Sequence, residues 1–288
     1  MSRKIVIDTG CLYRIGDDKK VLDLIKSCGF KYFDLTLFWK GVTEHIGVGE
    51  DYLDNARKLR EYADKLGLVC EQSHAFFCAG NDDDTNRIRI DYIKKDIRTA
   101  AIMGAKEIVI HPAEDLSFDE NIEMFKGFIP LAKECGIKIA VENVIAYKNG
   151  KPVPLCTSNP KDFVRFIDTL NDECVVACLD IGHAELDVCN TSAVEMIKAL
   201  GPRLQALHIH DNDSHGDKHQ VPYTHNICFK DILDALKENH YQGNITFEVE
   251  TCYNRGENPK AGLPFELFPA YIKLELEIGK YFADYLDK

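Results

Sequence analysis

The sequence lacks the marks of a membrane, secreted or nucleic-acid-coating protein. No apolar run approaches the ~20 residues needed to cross a bilayer. The N-terminal Met-Ser-Arg-Lys is followed by only three apolar residues in a row, Ile5-Val6-Ile7, too few for the core of a signal peptide. There is no C-x-x-C pair among the 11 cysteines. An odd, scattered set gives neither a disulfide framework nor a structural zinc knuckle. Cys70, Cys174 and Cys178 fall inside apolar strand-like runs and read as small buried hydrophobes. Positive charge is scarce too: 35 Lys and Arg face 47 Asp and Glu, for a formal net charge of −12. An acidic chain repels phosphate backbones, so nucleic acid is a poor partner. No glycine-rich phosphate loop follows the first apolar run, which counts against an open dinucleotide-binding sheet. The expectation is a soluble, cytoplasmic protein.

What is present is one unit of organisation repeated along 288 residues. An amphipathic helical segment ends at a glycine, and a short apolar run follows. The units end at Gly29, Gly67, Gly104, Gly136, Gly201 and Gly243. Glycine just past a helix takes the left-handed cap conformation at little steric cost. Between the glycines the spacing is helical, as in Leu53, Ala56, Leu59, Tyr62, Ala63 and Leu66. The pattern predicts strands near 4–8, 31–36, 68–74, 106–111, 137–142, 174–180, 203–210 and 244–250, with helices between and a last helix over 265–286. Eight strands alternating with eight helices imply a parallel sheet with right-handed crossovers. Closed on itself, that sheet is a single (β/α)8 TIM barrel of the α/β class, here one domain over 1–288, near the roughly 250 residues usual for the fold.

Active sites of such barrels lie at the C-terminal ends of the strands. Six of these ends carry a metal-competent side chain: His74, His111, Glu142, Asp180, His208 with His210, and Glu248 with Glu250. Strand alternation sets their direction. Ile139 and Val141 share the face that suits the helix layer, so Ala140 and Glu142 point inward. By the same reasoning Cys178 and Asp180 point inward, opposite Val175, Ala177 and Leu179. Thr246, Glu248 and Glu250 point inward, opposite Ile245, Phe247 and Val249. Several carboxylates crowded into one low-dielectric mouth raise each other's pKa values unless a cation compensates. Three carboxylates and an imidazole suit Mn²⁺, Mg²⁺, Co²⁺ or Zn²⁺.

The strings Ala140-Val141-Glu142-Asn143, Leu179-Asp180-Ile181-Gly182-His183, Leu207-His208-Ile209-His210-Asp211-Asn212-Asp213, Asp217-Lys218-His219 and Thr246-Phe247-Glu248-Val249 resemble the xylose-isomerase-like barrel superfamily. That superfamily includes sugar phosphate isomerases and epimerases and the zinc-dependent AP endonucleases. The resemblance implies that Glu142, Asp180, His208 and Glu248 hold a divalent metal. It implies that Glu142 and Glu248 also move the substrate proton, and that His183 contacts substrate. The endonuclease members hold three zinc ions, and their further ligands match His74, His111, Asp217 and His219. With His183 and His210 these form a second ring of candidate metal or substrate residues, so the metal count lies between one and three.

The function this implies is a sugar, sugar phosphate or keto-polyol isomerase or epimerase working through a metal-bound enediolate. The alternatives are a trinuclear-zinc phosphodiesterase of AP-endonuclease type and a metal-binding barrel without turnover. One departure from the pattern stands out. Where relatives have a Pro-Gly-x-Gly turn, this chain has Pro222-Tyr223-Thr224-His225-Asn226, so the loop cannot take the same close approach to a ligand if that approach needs positive φ. Phe33, Phe38 and Trp39 offer either an apolar wall for a sugar or plain packing. The segment 143–158, with Tyr147, Lys148 and Lys151, reads as either a cationic lid or a solvated loop. The apolar stretch from Pro264 to Pro269 suits either docking on a second copy, giving a homo-oligomer, or closure of the chain's own barrel.

Overall fold

The structure is a computed structural model that describes residues 3–10, 12, 16–37, 49–76, 83–249 and 263–288, with backbone alone at 83–87. Helix starts follow local chemistry. Asp17 accepts from the Lys20 N–H at the head of α1 (Asp18–Ser27), and Ser117 and Glu120 form a reciprocal capping box at α4 (Phe118–Cys135). Asn159 followed by Pro160 opens α5 (Pro160–Leu170), and Ser192 opens α7 (Ala193–Leu200). Five of the six predicted glycines adopt positive φ: Gly29, Gly67, Gly104, Gly136 and Gly201. Gly243 does not. After α8 (Phe229–Glu238), His240 takes the left-handed position at φ 53°, and Gly243 is small because an added Cβ would overlap the Gln205 carbonyl oxygen.

The strands are β1 (Ile5–Asp8), β2 (Tyr32–Thr36), β3 (Val69–His74), β4 (Glu107–Ile110), β5 (Lys138–Glu142), β8 (Val175–Asp180), β9 (Leu204–His208) and β10 (Ile245–Phe247). They pair in parallel in the order β10-β1-β2-β3-β4-β5-β8-β9. Past the end of β9 the ring is drawn together: the Ile209 N–H donates to the Thr246 carbonyl at 2.9 Å, and the Glu248 N–H donates to the Ile209 carbonyl at 3.2 Å. The remaining helices are α2 (Tyr52–Leu66), α3 (Asp83–Met103), the single turn α6 (Ile181–Ala184) and α9 (Phe268–Asp287). The fold is a single β/α barrel.

The two faces separate as the alternation requires. Ile139, Val141, Val175, Ala177, Leu179, Ile245, Phe247 and Val249 pack in the core between sheet and helices. Val109, Ala140, Val176, Cys178 and Ala206 form a separate cluster inside the barrel. Phe33 is fully buried in the outer core and therefore lines no ligand surface, whereas Phe38, Trp39 and Glu250 lie outside the described residues. Five of the eight described cysteines are buried, Cys70, Cys174 and Cys178 among them. The segment after β5 is neither a bare loop nor unstructured. It forms an antiparallel hairpin, β6 (Ile145–Lys148) and β7 (Lys151–Pro154), turning on Asn149 and Gly150, both at positive φ.

In α9, Ile272 and Phe282 are buried and Gly279 packs against Ile5 and Phe247. Phe268 docks on the chain's own core, while Phe265 and Leu267 are exposed. Among the described residues no helix is long and apolar enough to cross a membrane.

The bottom of the barrel is polar. Glu71 accepts from Lys4 at 2.5 Å and lies 3.1 Å from the Lys106 ammonium, and Lys138 donates to Gln205 at 2.5 Å. Glu107, at the start of β4, is pushed up to about 7 by burial, with Asp34 adding to the effect. A carboxyl whose folded pKa is raised binds a proton that the unfolded chain has released. Stability therefore falls as pH rises from about 4.5 to about 7. Glu107→Gln is expected to flatten that part of the pH–stability curve, a difference on the order of 2 kcal/mol by denaturant titration at pH 5 and pH 7.5. An unchanged slope would show that Glu107 is not the group responsible.

Candidate metal and catalytic site

Two irregularities in strand pairing aim the site. Between β2 and β3 the register moves from Phe33↔Cys70 to Asp34↔Gln72, leaving Glu71 as an extra residue. Between β8 and β9 it moves from Ala177↔Leu204 to Cys178↔Ala206, leaving Gln205 as another. Unbroken alternation would put Cys70 on the face of His74, and Leu204 on the face of His208. The extra residues reverse the parity. Cys70 and Leu204 join the outer core, while Gln72, His74, Ala206 and His208 turn inward.

Glu142, Asp180, His208 and Glu248 are all buried, and one ligand-type atom from each lies within 4.8 Å of the others. His208 Nδ1 lies 3.3 Å from Glu142 Oε1 and 3.2 Å from Glu248 Oε2. The other oxygen of Glu142 lies 3.0 Å from His111 Nε2 and 3.3 Å from His74 Nε2. A second group follows on the far side of Asp180. His210 Nε2 is 3.1 Å from Asp180 Oδ1, and His183 Nδ1 is 3.6 Å from the same oxygen. Asp217 faces His219 Nε2 at 2.9 Å, His183 Nε2 at 3.6 Å and His210 Nε2 at 3.8 Å. All ten residues singled out in the sequence thus meet at the C-terminal mouth of the barrel.

Neighbouring groups hold these side chains in place, and sequence reasoning gave them no role. Asn143 bonds the Asp180 backbone in both directions, accepting from its N–H at 2.7 Å and donating to its carbonyl at 2.9 Å. Gly182 is obligatory, because a Cβ there would overlap the His210 ring. Asp211 accepts backbone N–H groups from Asn212, Thr224, His225 and Ile227 at 2.9–3.1 Å. That carboxylate pins the loop in which Tyr replaces Gly. Tyr223 takes positive φ although it is not glycine, at 74°. The conformation costs on the order of 1–2 kcal/mol. The Asp211 bonds and the packing of the Tyr223 ring on Phe229 and Phe282 oppose that cost.

The electrostatics are those of a site crowded with negative charge. Burial alone would raise Glu142, but His208 and His111 hold it well below the usual carboxylate range. Burial pushes Glu248 up to about 8, because Glu142 beside it adds to the effect and His208 and His219 only partly offset it. Burial would also raise Asp217, yet His219 and His183 hold it well below its ordinary value. Burial would lower His183, but Asp180 and Asp217 hold it well above the usual imidazole range. Among the described residues the ion-pair partners of these carboxylates are histidines. Among the described residues, Asp180 Oδ2, His208 Nδ1, His210 Nε2 and Asp217 Oδ1 are buried without a hydrogen-bond partner. Buried oxygen and nitrogen lone pairs converging without donors are what a divalent cation would complete.

A family model described as xylose isomerase-like TIM barrel matches residues 22–265. The chain belongs to that family. Among curated proteins it is similar to a probable endonuclease 4 of Mesoplasma florum, at 28% identity over 186 residues, which is 59% of this chain and 61% of that protein. Among solved structures it is similar to a D-tagatose 3-epimerase-like protein, with TM-score 0.72 and 20% identity over 96% of this chain and 98% of that one. It is also similar to the IOLI protein with a bound zinc atom, with TM-score 0.71 and 19% identity over 98% of each. At these identities the two structures establish the shared fold.

Metal binding is expected to raise thermal stability, by ~2.7 kcal/mol at a metal concentration 100-fold above Kd. His208→Ala should abolish the shift. Asp217→Ala should keep it while lowering the metal count by elemental analysis. Equal losses in both variants would mean that the two groups do not bind metal separately.

Proposed function

We propose that this protein is a divalent-metal-dependent isomerase or epimerase acting on a small carbohydrate or keto-polyol, with Glu142 and Glu248 as the proton-transferring pair. The observation that carries the reading is the convergence of these two carboxylates on one point, 3.3 and 3.2 Å from the same imidazole nitrogen. Glu142, Asp180, His208 and Glu248 would hold the metal, which when bound supplies Lewis-acid polarisation of a substrate carbonyl.

The residues of the chain do the rest. One glutamate removes the proton on the carbon next to the carbonyl, and the electron pair of that C–H bond moves into a planar enediolate. The other glutamate returns a proton. Delivery to the neighbouring carbon, with the hydroxyl proton passing to the former carbonyl oxygen, isomerises the sugar; delivery to the opposite face of the same carbon epimerises it. Without a metal, His208 and His111 hold Glu142 well below the usual carboxylate range against the effect of burial, and burial pushes Glu248 up to about 8; a bound cation would draw Glu248 down and leave both carboxylates able to accept a proton. His183, 3.6 Å from Asp217, would bond a substrate hydroxyl. The similarity to a D-tagatose 3-epimerase-like protein supports the same class of substrate.

In D₂O, metal-loaded protein is expected to exchange the α-proton of at least one ketose or keto-inositol. Glu142→Gln and Glu248→Gln should each slow that exchange by about 10²–10⁴. Absence of exchange above background across the panel would sink the enolisation mechanism.

A second reading rests on the group formed by His183, His210, Asp217 and His219, which offers ligands for further metal ions. With His74 and His111 on Glu142, that is the ligand inventory of a trinuclear phosphodiesterase, and the similarity to a probable endonuclease 4 supports it. The net charge of −12 opposes it. Cleavage of an abasic duplex with a steep salt dependence would put this reading first.

A further inference from the structure

Beneath the site lies a buried polar pair that the proposed chemistry does not use. Asp34 on β2 and Gln72 on β3 are fully buried inside the barrel. Gln72 Nε2 donates to Asp34 Oδ2 at 2.6 Å. The same amide nitrogen is 2.9 Å from His208 Nε2, and Asp34 Oδ2 is 3.4 Å from that ring nitrogen. Among the described residues, Asp34 Oδ1 and Gln72 Oε1 have no hydrogen-bond partner, so no further bond with them locks either group.

These two neighbours ask for opposite forms of the ring. An amide NH₂ can only donate, so Gln72 suits a bare Nε2. The single proton of a neutral imidazole then sits on Nδ1, between Glu142 and Glu248. An ionised carboxylate can only accept, so Asp34 suits a protonated Nε2. The lone pair is then on Nδ1, directed at the point shared with Glu142 and Glu248.

We propose that Asp34 and Gln72 are positioning residues that set the tautomer of His208, with Asp34 opening its Nδ1 to a cation and Gln72 closing it. The inference rests on the reading that Glu142, Asp180, His208 and Glu248 bind a divalent ion. Passing from the closed to the open form, the ring loses the Nδ1 proton and gains one on Nε2, so its charge is unchanged. Gln72 keeps its bond to Asp34 and gives up only its approach to His208. A carboxylate or amide that partners the second nitrogen of a ligating histidine is a general means of fixing ring orientation. Here the two are set against each other on one atom.

Opposite responses of two variants distinguish this from simple filling of the barrel interior. Asp34→Leu leaves only the amide donor at Nε2. It is expected to hold His208 with its proton on Nδ1 and to weaken Co²⁺ binding by about 10- to 100-fold. Gln72→Met leaves only the carboxylate. It is expected to place the proton on Nε2 and to bind Co²⁺ at least as tightly as the parent. Affinity is read from Co²⁺ titration by visible absorption. The tautomer is read from the ¹⁵N shifts of the ring nitrogens in metal-free protein, at a pH high enough to leave the ring neutral: burial would lower His208, but Cys178, Glu248 and Glu142 around it hold it well above the usual imidazole range. Weaker binding in both variants, or ring shifts that move in neither, would overturn the proposal. If Asp34→Leu does not fold, Gln72→Met decides alone. If the parent binds no Co²⁺, or His208→Ala binds it equally well, the metal reading fails instead, and the ring shifts of metal-free protein still decide the tautomer assignment.

Discussion

Glu142 is buried, ionised and surrounded by imidazoles: His111 at 3.0 Å, His74 and His208 at 3.3 Å, and His183 at 3.6 Å. A carboxylate in that position would be strongly disfavoured without compensating positive charge. Much of the mouth can be understood as meeting this one demand. The histidines come from β3, the β4 end, β9 and the turn after β8, so they reach Glu142 only if the barrel closes with these strands in register. His74, His183 and His208 in turn meet a further carboxylate or a backbone carbonyl, which extends the network to Asp180, Asp217 and Glu248. Buried polar networks of this kind demand full satisfaction, and the atoms here that lack partners are concentrated where the ligand-type groups converge.

The scaffold is arranged so that rigid elements carry the reactive side chains. Strand ends supply Glu142, Asp180 and His208, and the outer core packs the opposite face of the same strands with Val141, Leu179 and Leu207. Loops contribute too, but they are tied down. Asp211 gathers four backbone N–H groups, and Asn143 clamps the end of β8. Tyr223 is held in a conformation usually left to glycine. The mouth carries two adjoining groups of ligand-type side chains. A shared barrel sets where chemistry happens, and the individual side chains set which chemistry it is.

The legibility of the sequence varied from element to element for physical reasons. Glu142, Asp180 and Glu248 could be aimed inward by alternation alone, because β5, β8 and β10 run without an extra residue before them. His74 and His208 could not, since Glu71 and Gln205 shift the parity and a bulge has no dependable mark in the sequence. The hairpin after β5 escaped notice because four-residue strands give too short an alternation to stand out, although Asn149-Gly150 is a turn signal. Tyr223 escaped because its backbone conformation is imposed from a distance by Asp211. Asp34 and Gln72 share strand faces with the mouth, yet nothing local marks either as a neighbour of His208.

By itself the sequence determined the class of fold, the alternation of helix and strand, and the set of side chains at the strand ends. These follow from local periodicity and from the glycines and caps that end each helix, all properties of near neighbours in the chain. Only the tertiary structure decided that Glu142 stands between two groups of histidines, that Asp180 joins them, and that an amide and a carboxylate meet at one nitrogen of His208. Apart from Asp180 with His183, those relations join residues 30 to 174 positions apart. Their distances are set by strand register and barrel closure, which no local pattern encodes.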